Sequence, residues 1–236
     1  MNLVIFDSDD CIGDDIVRFK DRRFEHIKKV LGLAVGDSFR AGRLNGPKGS
    51  AVIVSQEKNY FDVRVNLTQT SPDPLPVELI IALPRPQTFK KVLEFSAAVG
   101  VKKIHVINSC RVEKSFWQSP VLSFENMRYN MLLGLEQVCD TILPEVFLYH
   151  CYKKFFRQDI ERIIEKKKCF IAHPHNTRNC PERTVEPSVL AVGPEGGFID
   201  SEVSDFAGRG FAAFNCGQRV FRVEHAVPVL LSKMFI

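Results

Sequence analysis

Residues 189–235 read VLAVGPEGGFIDSEVSDFAGRGFAAFNCGQRVFRVEHAVPVLLSKMF, and no other stretch constrains the fold of this chain as strongly. The apolar run 189–192 has the length and composition of a buried strand, and Gly193-Pro194-Glu195-Gly196-Gly197 follows it with a backbone almost bare of side chains. A helix is expected next. Asp200 or Ser201 caps it, Glu202 supports its first turn, Val203, Phe206 and Ala207 share helical spacing, and Gly208 or Gly210 ends it. Residues 211–214 make a second predicted strand, leading into the turn Asn215-Cys216-Gly217-Gln218, and residues 219–225 open an apolar C-terminal helix. Two strand-to-glycine-to-helix corners, about twenty residues apart, therefore present bare backbone along one edge of a sheet. One such corner is an ordinary turn of an α/β protein, whereas the pair is a much narrower requirement.

These residues resemble the C-terminal signature of the ribosomal RNA small-subunit methyltransferase E family, within the SPOUT superfamily of knotted methyltransferases. The family pattern is a GPEGG corner, a strand, and a G-P-R-x-L-R-x-E-T-A segment, matched here by residues 193–197 and 217–226. Three positions depart from it: Gln218 stands for proline, Phe221 for leucine and His225 for threonine.

The rest of the chain is compatible with that resemblance. Its 236 residues can bury a large core, and 45% hydrophobic with 25% charged residues is ordinary globular usage. The longest apolar stretches, 79–83 and 226–231, are far below the roughly 20 residues that span a bilayer. Asp7, Asp9 and Asp10 stand where a signal peptide would be basic. Seven cysteines without a CxxC pair predict reduced thiols in a cytoplasmic protein with no zinc site.

Net charge is +4, but residues 16–50 carry nine basic side chains (Arg18, Lys20, Arg22, Arg23, Lys28, Lys29, Arg40, Arg43, Lys48) against three acidic ones. That excess is read either as a face for a phosphate backbone or as a solvated helix face. Phe24, Ile27, Val30 and Leu31 predict an amphipathic helix over 22–33, and 38–44, 49–56 and 60–67 predict a small antiparallel β unit. With His26, Val30-Leu31 and Gly36-Asp37 this resembles the family's PUA-like barrel, which holds RNA. Three prolines in 71–76 mark a linker. The expected domains are thus 1–70 (PUA-like), 71–76 (linker) and 77–236 (SPOUT-like, with the C-terminal trefoil knot implied by family alone).

After the linker, strands are predicted at 77–83, 102–108, 144–149 and 169–172, the last ending in His173-Pro174-His175. Helices are predicted at 88–99, after Trp117 and at 159–167. This alternation predicts a parallel sheet, whose ligands gather at the carboxyl ends of strands, and Arg85, Arg111, Lys114, His173 and both glycine corners fall there.

The sequence shows no metal-ligand set, no Ser-His-Asp constellation and no GxxxxGK[ST] or GxGxxG spacing. The resemblance implies S-adenosylmethionine as cofactor, held by His173, Gly193, Glu195, Gly196, Gly197, Cys216, Gly217, Val220, Phe221, Arg222 and His225. It implies methylation of N3 of a uridine in 16S rRNA, with the small ribosomal subunit as partner, and a homodimer. Arg222 is read as partner to charge on a uracil oxygen, or as a structural arginine paired with Glu224 or Glu195. Glu195 is read as accepting the N3 proton or as ordering its own loop, and His225 as a base or as a capping or core residue. Arg22, Arg23, Lys29, Arg43, Arg85, Arg111 and Lys114 are read as RNA contacts, and Trp117 as core or as a stacking platform. Two competing readings are a non-catalytic RNA-binding protein of the same fold and a nucleotide-dependent enzyme on a doubly wound sheet.

Overall fold

The structure is a computed structural model and describes residues 2–174 and 178–236, so His175 lies outside the described residues. The chain forms two compact units, one of Met1–Asp73 with Leu132–Leu143 and one of Pro74–Met131 with Pro144–Ile236. Their junction at Asp73 and Pro74 lies within the expected linker, but 132–143, expected in the second domain, belongs to the first unit. The reason is a set of contacts from distant sequence. The buried Glu136 carboxylate receives both arms of Arg22 at 2.8 and 2.9 Å, its carbonyl accepts the Asn2 and Leu3 N–H groups, and Lys48 Nζ donates to the Cys139 carbonyl at 2.6 Å.

In the first unit, β1 (Val4–Phe6), β2 (Ile16–Phe19), β3 (Ser38–Arg43), β4 (Lys48–Gln56) and β5 (Phe61–Gln69) form a five-stranded sheet in the order β1-β3-β4-β5-β2. All pairs are antiparallel except β1 with β3. Alternate residues of β4, Ala51 and Ile53, are buried while Val52 and Val54 face outward, as in a sheet covered on one side. Phe6, Phe19, Phe24, Ile27, Phe61 and Val63 build the core on the covered side. The helix expected over 22–33 is shorter than its spacing suggested. α1 (Arg22–Glu25) passes into a π-helical turn, His26–Val30, which buries Ile27 but leaves Val30 and Leu31 exposed.

The second unit contains β6 (Val77–Ala82), α2 (Pro86–Ala98), β7 (Lys103–Ile107), the start of α3 (Phe124–Val138), β8 (Glu145–Tyr149), α4 (Tyr152–Gln158), α5 (Ile160–Ile164), β9 (Lys168–Ala172), β10 (Ser188–Val192), α6 (Asp200–Ala207), β11 (Ala212–Phe214) and α7 (Val223–Phe235). Its six strands are all parallel, in the order β11-β9-β10-β6-β7-β8. Every residue of β10 and nearly every residue of β6 is buried, so the centre of the sheet is covered on both faces. The chain runs outward through β6, β7 and β8 and then returns to the other side for β9, β10 and β11. A reversal of this kind opens a crevice beyond the carboxyl ends of the strands.

Candidate functional site

A cavity of about 210 Å³ lies at the carboxyl ends of β9, β10 and β11. Ala172, His173 and Pro174 follow β9 into it, Gly193–Gly197 follow β10, and Asn215–Gly217 with Arg219–Phe221 follow β11. Val223, Ala226 and Leu230 of α7 close it. Two sequence-predicted corners that lie about twenty residues apart in the chain thus become adjacent walls of one site.

The two corners are built differently. At the first, the Gly197 N–H donates to the Pro194 carbonyl at 2.7 Å, closing a four-residue turn. Gly193 is buried, and a Cβ there would lie 3.0 Å from the Phe198 nitrogen and 3.2 Å from Gly197 backbone atoms, so a side chain would force the turn's own backbone to shift. Gly197 differs. Its φ is +72°, the left-handed region, yet a Cβ would meet nothing within 4 Å. At the second corner the Asn215 Oδ1 accepts the Gly217 N–H at 2.8 Å, and Gly217 has φ +100° with the same open space beside it. Beyond it Val220 is 73% and Phe221 39% exposed, unusual for apolar side chains beside a cavity.

The first corner is held from below and from the side. Phe198 and Phe206 are buried with ring centroids 5.2 Å apart, and Phe206 also meets Phe156 and Phe211 at 4.8 Å. The cap of α6 is neither Asp200 nor Ser201 but Ile199, which has no side-chain oxygen to offer. Glu202 makes the reciprocal half of a capping box, reaching back to the cap residue's own N–H. It is 4% exposed, and its two oxygens accept the N–H groups of Ile199 at 3.0 Å and of Cys110 at 2.7 Å, tying α6 to the loop after β7. Sequence reasoning assigned Glu202 only to its own first turn, and the Cys110 partner lies 92 residues away.

The other expected site residues divide. Glu195 Oε1 accepts the Arg85 N–H at 3.0 Å, so its carboxylate orders the corner against the start of α2. Arg111 donates to the Gly196 carbonyl and so braces the same corner. Arg85, Arg111 and Lys114 are exposed at the carboxyl edge of the sheet, and Trp117, half-buried, packs against His150 with ring centroids 4.3 Å apart and planes tilted by 45°, while its Nε1 donates to Asn108 Oδ1. Arg222 and His225 stand exposed at the start of α7 and are not among the residues lining the cavity. Neither pairing considered for Arg222 is made: Glu195 is bound to Arg85, and Glu224 accepts the Thr88 hydroxyl at 3.4 Å. The Glu224 carboxylate also accepts its own backbone N–H, which holds it below the usual carboxylate range.

In the first unit, two of the expected RNA contacts carry charges already neutralised. Arg23 is 12% exposed and grips Asp10 at 2.6 and 2.7 Å and Asp21 at 2.9 Å, and Arg22 is the Glu136 partner. Lys29 is 72% exposed and pairs with Glu25 one helical turn earlier at 2.5 Å, a solvated surface pair, and Arg43 is exposed. Among the described residues no group of three or more His, Cys, Asp or Glu side chains could hold a metal, and no helix is long and apolar enough to cross a membrane.

Comparison with known proteins agrees with this geometry. Residues 71–235 match the family model described as an RNA methyltransferase domain. The chain is 31% identical over 232 residues to ribosomal RNA small subunit methyltransferase E of Treponema pallidum (strain Nichols), covering 96% of this chain and 87% of that protein. It is 24% identical over 211 residues to ribosomal RNA small subunit methyltransferase E 1 of Borreliella burgdorferi, covering 89% and 88%. Its fold is similar to a crystal structure of the ribosomal RNA small subunit methyltransferase E of Neisseria gonorrhoeae bound to S-adenosyl methionine, with a TM-score of 0.75, 18% identity and coverage of 99% of this chain and 98% of that one.

Proposed function

Because the chain belongs to the RNA methyltransferase family that includes ribosomal RNA small subunit methyltransferase E, we propose that it transfers the methyl group of S-adenosylmethionine to N3 of a uridine in 16S ribosomal RNA. One observation carries the reading: the cavity at β9, β10 and β11 is walled by the backbone of two glycine corners and flanked by the exposed apolar side chains Val220 and Phe221. Backbone N–H and C=O groups suit the polar edge of an adenine, and the two apolar side chains suit its faces. The cofactor supplies the activated methyl group, and this chain's residues supply alignment, which can contribute roughly 7–11 kcal/mol.

The N3 proton must leave as the N–C bond forms, and charge then gathers on the flanking uracil oxygens. Arg222, free of both Glu195 and Glu224, is assigned to stabilise that charge. Glu195 acts by positioning the corner, since its carboxylate is held on the Arg85 N–H. Arg85, Arg111 and Lys114 face the substrate side as exposed cations, and the five-stranded sheet serves as a PUA-like RNA-holding barrel with Lys29 and Arg43.

The same reading includes a trefoil knot formed by α7. It is supported by the hydrogen bond from the Thr184 N–H, in the segment before β10, to the Met234 carbonyl at the end of α7. An experimental electron density map in which α7 runs beside the loop between β9 and β10, and not through it, would remove the knot. A homodimer in the cytoplasm completes the proposal. Within α7 only Val229 is an exposed large hydrophobic, with Ile236 just beyond its end, so the support for a dimer rests on the family. Sedimentation showing only a 26.8 kDa species at micromolar concentration would exclude it.

The function is tested by titrating the protein with S-adenosylmethionine in a calorimeter and then mapping 3-methyluridine in 16S rRNA after incubation. The expected result is saturable binding and one new 3-methyluridine. Absence of binding sinks the proposal, and binding without methyl transfer to free rRNA or to the assembled small subunit replaces it with the non-catalytic RNA-binding reading.

A further inference from the structure

Asn179 and Asn215 form a parallel β-bridge, and the Asn215 N–H donates to the Arg178 carbonyl at 2.9 Å. Neighbouring strands stand roughly 4.8 Å apart, so the next residue of each segment lies beside the other on one face. Those residues are Cys180 and Cys216, both half-buried free cysteines. A separation of this order falls within the roughly 4.4–6.8 Å between Cα atoms that a disulfide spans. Cys216 lines the cavity and Cys180 does not, so only one of the pair faces whatever enters the site. Burial, and then the neighbouring Cys216, push the Cys180 thiol up to about 11, which keeps it protonated at neutral pH.

We propose that Cys180 and Cys216 are a peroxide-sensitive pair whose disulfide closes the cavity to S-adenosylmethionine. The cofactor half of this statement rests on the function proposed above. The oxidant is a hydroperoxide. The Cys216 thiolate attacks the O–O bond, forming a sulfenic acid and releasing the alcohol, or water when the oxidant is hydrogen peroxide. Cys180 then gives up its proton and attacks the Cys216 sulfur, forming the S–S bond and releasing water. Two thiols are oxidised and one peroxide is reduced to two hydroxyl-bearing products.

The effect on the site follows from where the link falls. It would tie the first residues of the 215–221 turn to the 178–180 segment, fixing the turn with Val220 and Phe221 still exposed. Under the function proposed above, Val220 and Phe221 cover the faces of the adenine, so a turn tethered with both still exposed competes with the bound cofactor. Linkage makes the competition reciprocal, so saturating cofactor should disfavour the disulfide by the same factor.

The test is to treat the protein with hydrogen peroxide, alkylate the remaining thiols, map the peptides by mass spectrometry and measure S-adenosylmethionine affinity before and after. The expected result is a Cys180–Cys216 cross-linked peptide, roughly tenfold weaker cofactor binding, and recovery with dithiothreitol. Cys180→Ser and Cys180→Ala should bind cofactor as the reduced native protein does and keep that affinity through peroxide treatment. A cross-link absent or confined to other cysteines overturns the proposal, as does a mapped Cys180–Cys216 link with unchanged cofactor affinity. A reduced native protein that does not bind S-adenosylmethionine overturns the function above and the cofactor half with it, while the peptide map still decides whether the pair is oxidised.

Discussion

Gly197 and Arg222 separate two demands that one residue motif combines. Gly197 has φ +72° and open space beside it, so an alanine there would be strained by roughly 1–2 kcal/mol without clashing with protein. Gly197→Ala should therefore lower the thermal midpoint modestly, and Gly197→Val should lower it further and abolish S-adenosylmethionine binding, because the added atoms enter the open space beside the turn. A Gly197→Val protein that binds cofactor like the native one would place the ligand elsewhere. Arg222→Ala should behave in the opposite way. Its side chain is exposed and outside the cavity lining, so affinity should be kept while turnover falls by roughly 10²–10³-fold, the cost of one lost oxyanion donor. Parallel loss of cofactor binding and turnover would make Arg222 a structural residue. Both glycine corners were legible in the sequence, because glycine spacing is a local signal. The Glu195 bond to Arg85 was not, because its partner lies 110 residues away.

At the level of elements, the runs that become β6 and β10 were legible as buried strands because a parallel sheet covered on both faces demands unbroken apolar sequence. β1 and β2, three and four residues long, carry too little periodicity to announce themselves. The helix over 22–33 was overextended for a related reason: helical spacing counts Val30 and Leu31 as core, but the backbone leaves the α-helix at His26 and reaches φ +66° at Gly32. The element whose electrostatics the sequence hid most is β6. Its Glu78 is 14% exposed and bound to His105 Nε2 at 2.9 Å and Lys167 Nζ at 2.7 Å, joining β6, β7 and the segment before β9. Burial opposes ionisation of Glu78, but its hydrogen bonds to His105 and Lys167 prevail and hold the carboxyl at about 2. A carboxyl held below its usual 4.5 stabilises the fold above that value and loses the contribution as pH falls toward 2, about 3 kcal/mol in all. Urea unfolding of the native protein and Glu78→Gln should show their stability gap narrowing by about 2 kcal/mol between about pH 6 and about pH 3. A gap independent of pH would mean Glu78 is not ionised in the folded protein.

Across the whole molecule the formal charge is only +4, so affinity for a polyanion depends on which cations are free, not on their number. Of the nine basic residues in 16–50, Arg18 is bound to Asp62, Arg22 to Glu136, Arg23 to Asp10 and Asp21, and Lys48 to the Cys139 carbonyl. Counting charges along the sequence could not reveal this, because Asp62, Glu136 and Cys139 lie 44, 114 and 91 residues from their partners. Lys20, Lys28, Lys29, Arg40 and Arg43 stay exposed, Lys29 in a solvated surface pair with Glu25 that a phosphate can replace, and these are the ones able to displace counterions from a phosphate backbone. Lys29→Ala and Arg43→Ala should each weaken binding to 16S rRNA and reduce the slope of log K against log salt by roughly 0.7–0.9. Arg23→Ala should act on the fold instead, since it leaves Asp10, 10% exposed, without its guanidinium partner, at a cost of about 3 kcal/mol in the unfolding free energy read from urea denaturation. If Lys29→Ala and Arg43→Ala leave the slope unchanged, the basic face of the first unit is merely solvated and the RNA must be held by Arg85, Arg111 and Lys114 at the edge of the parallel sheet.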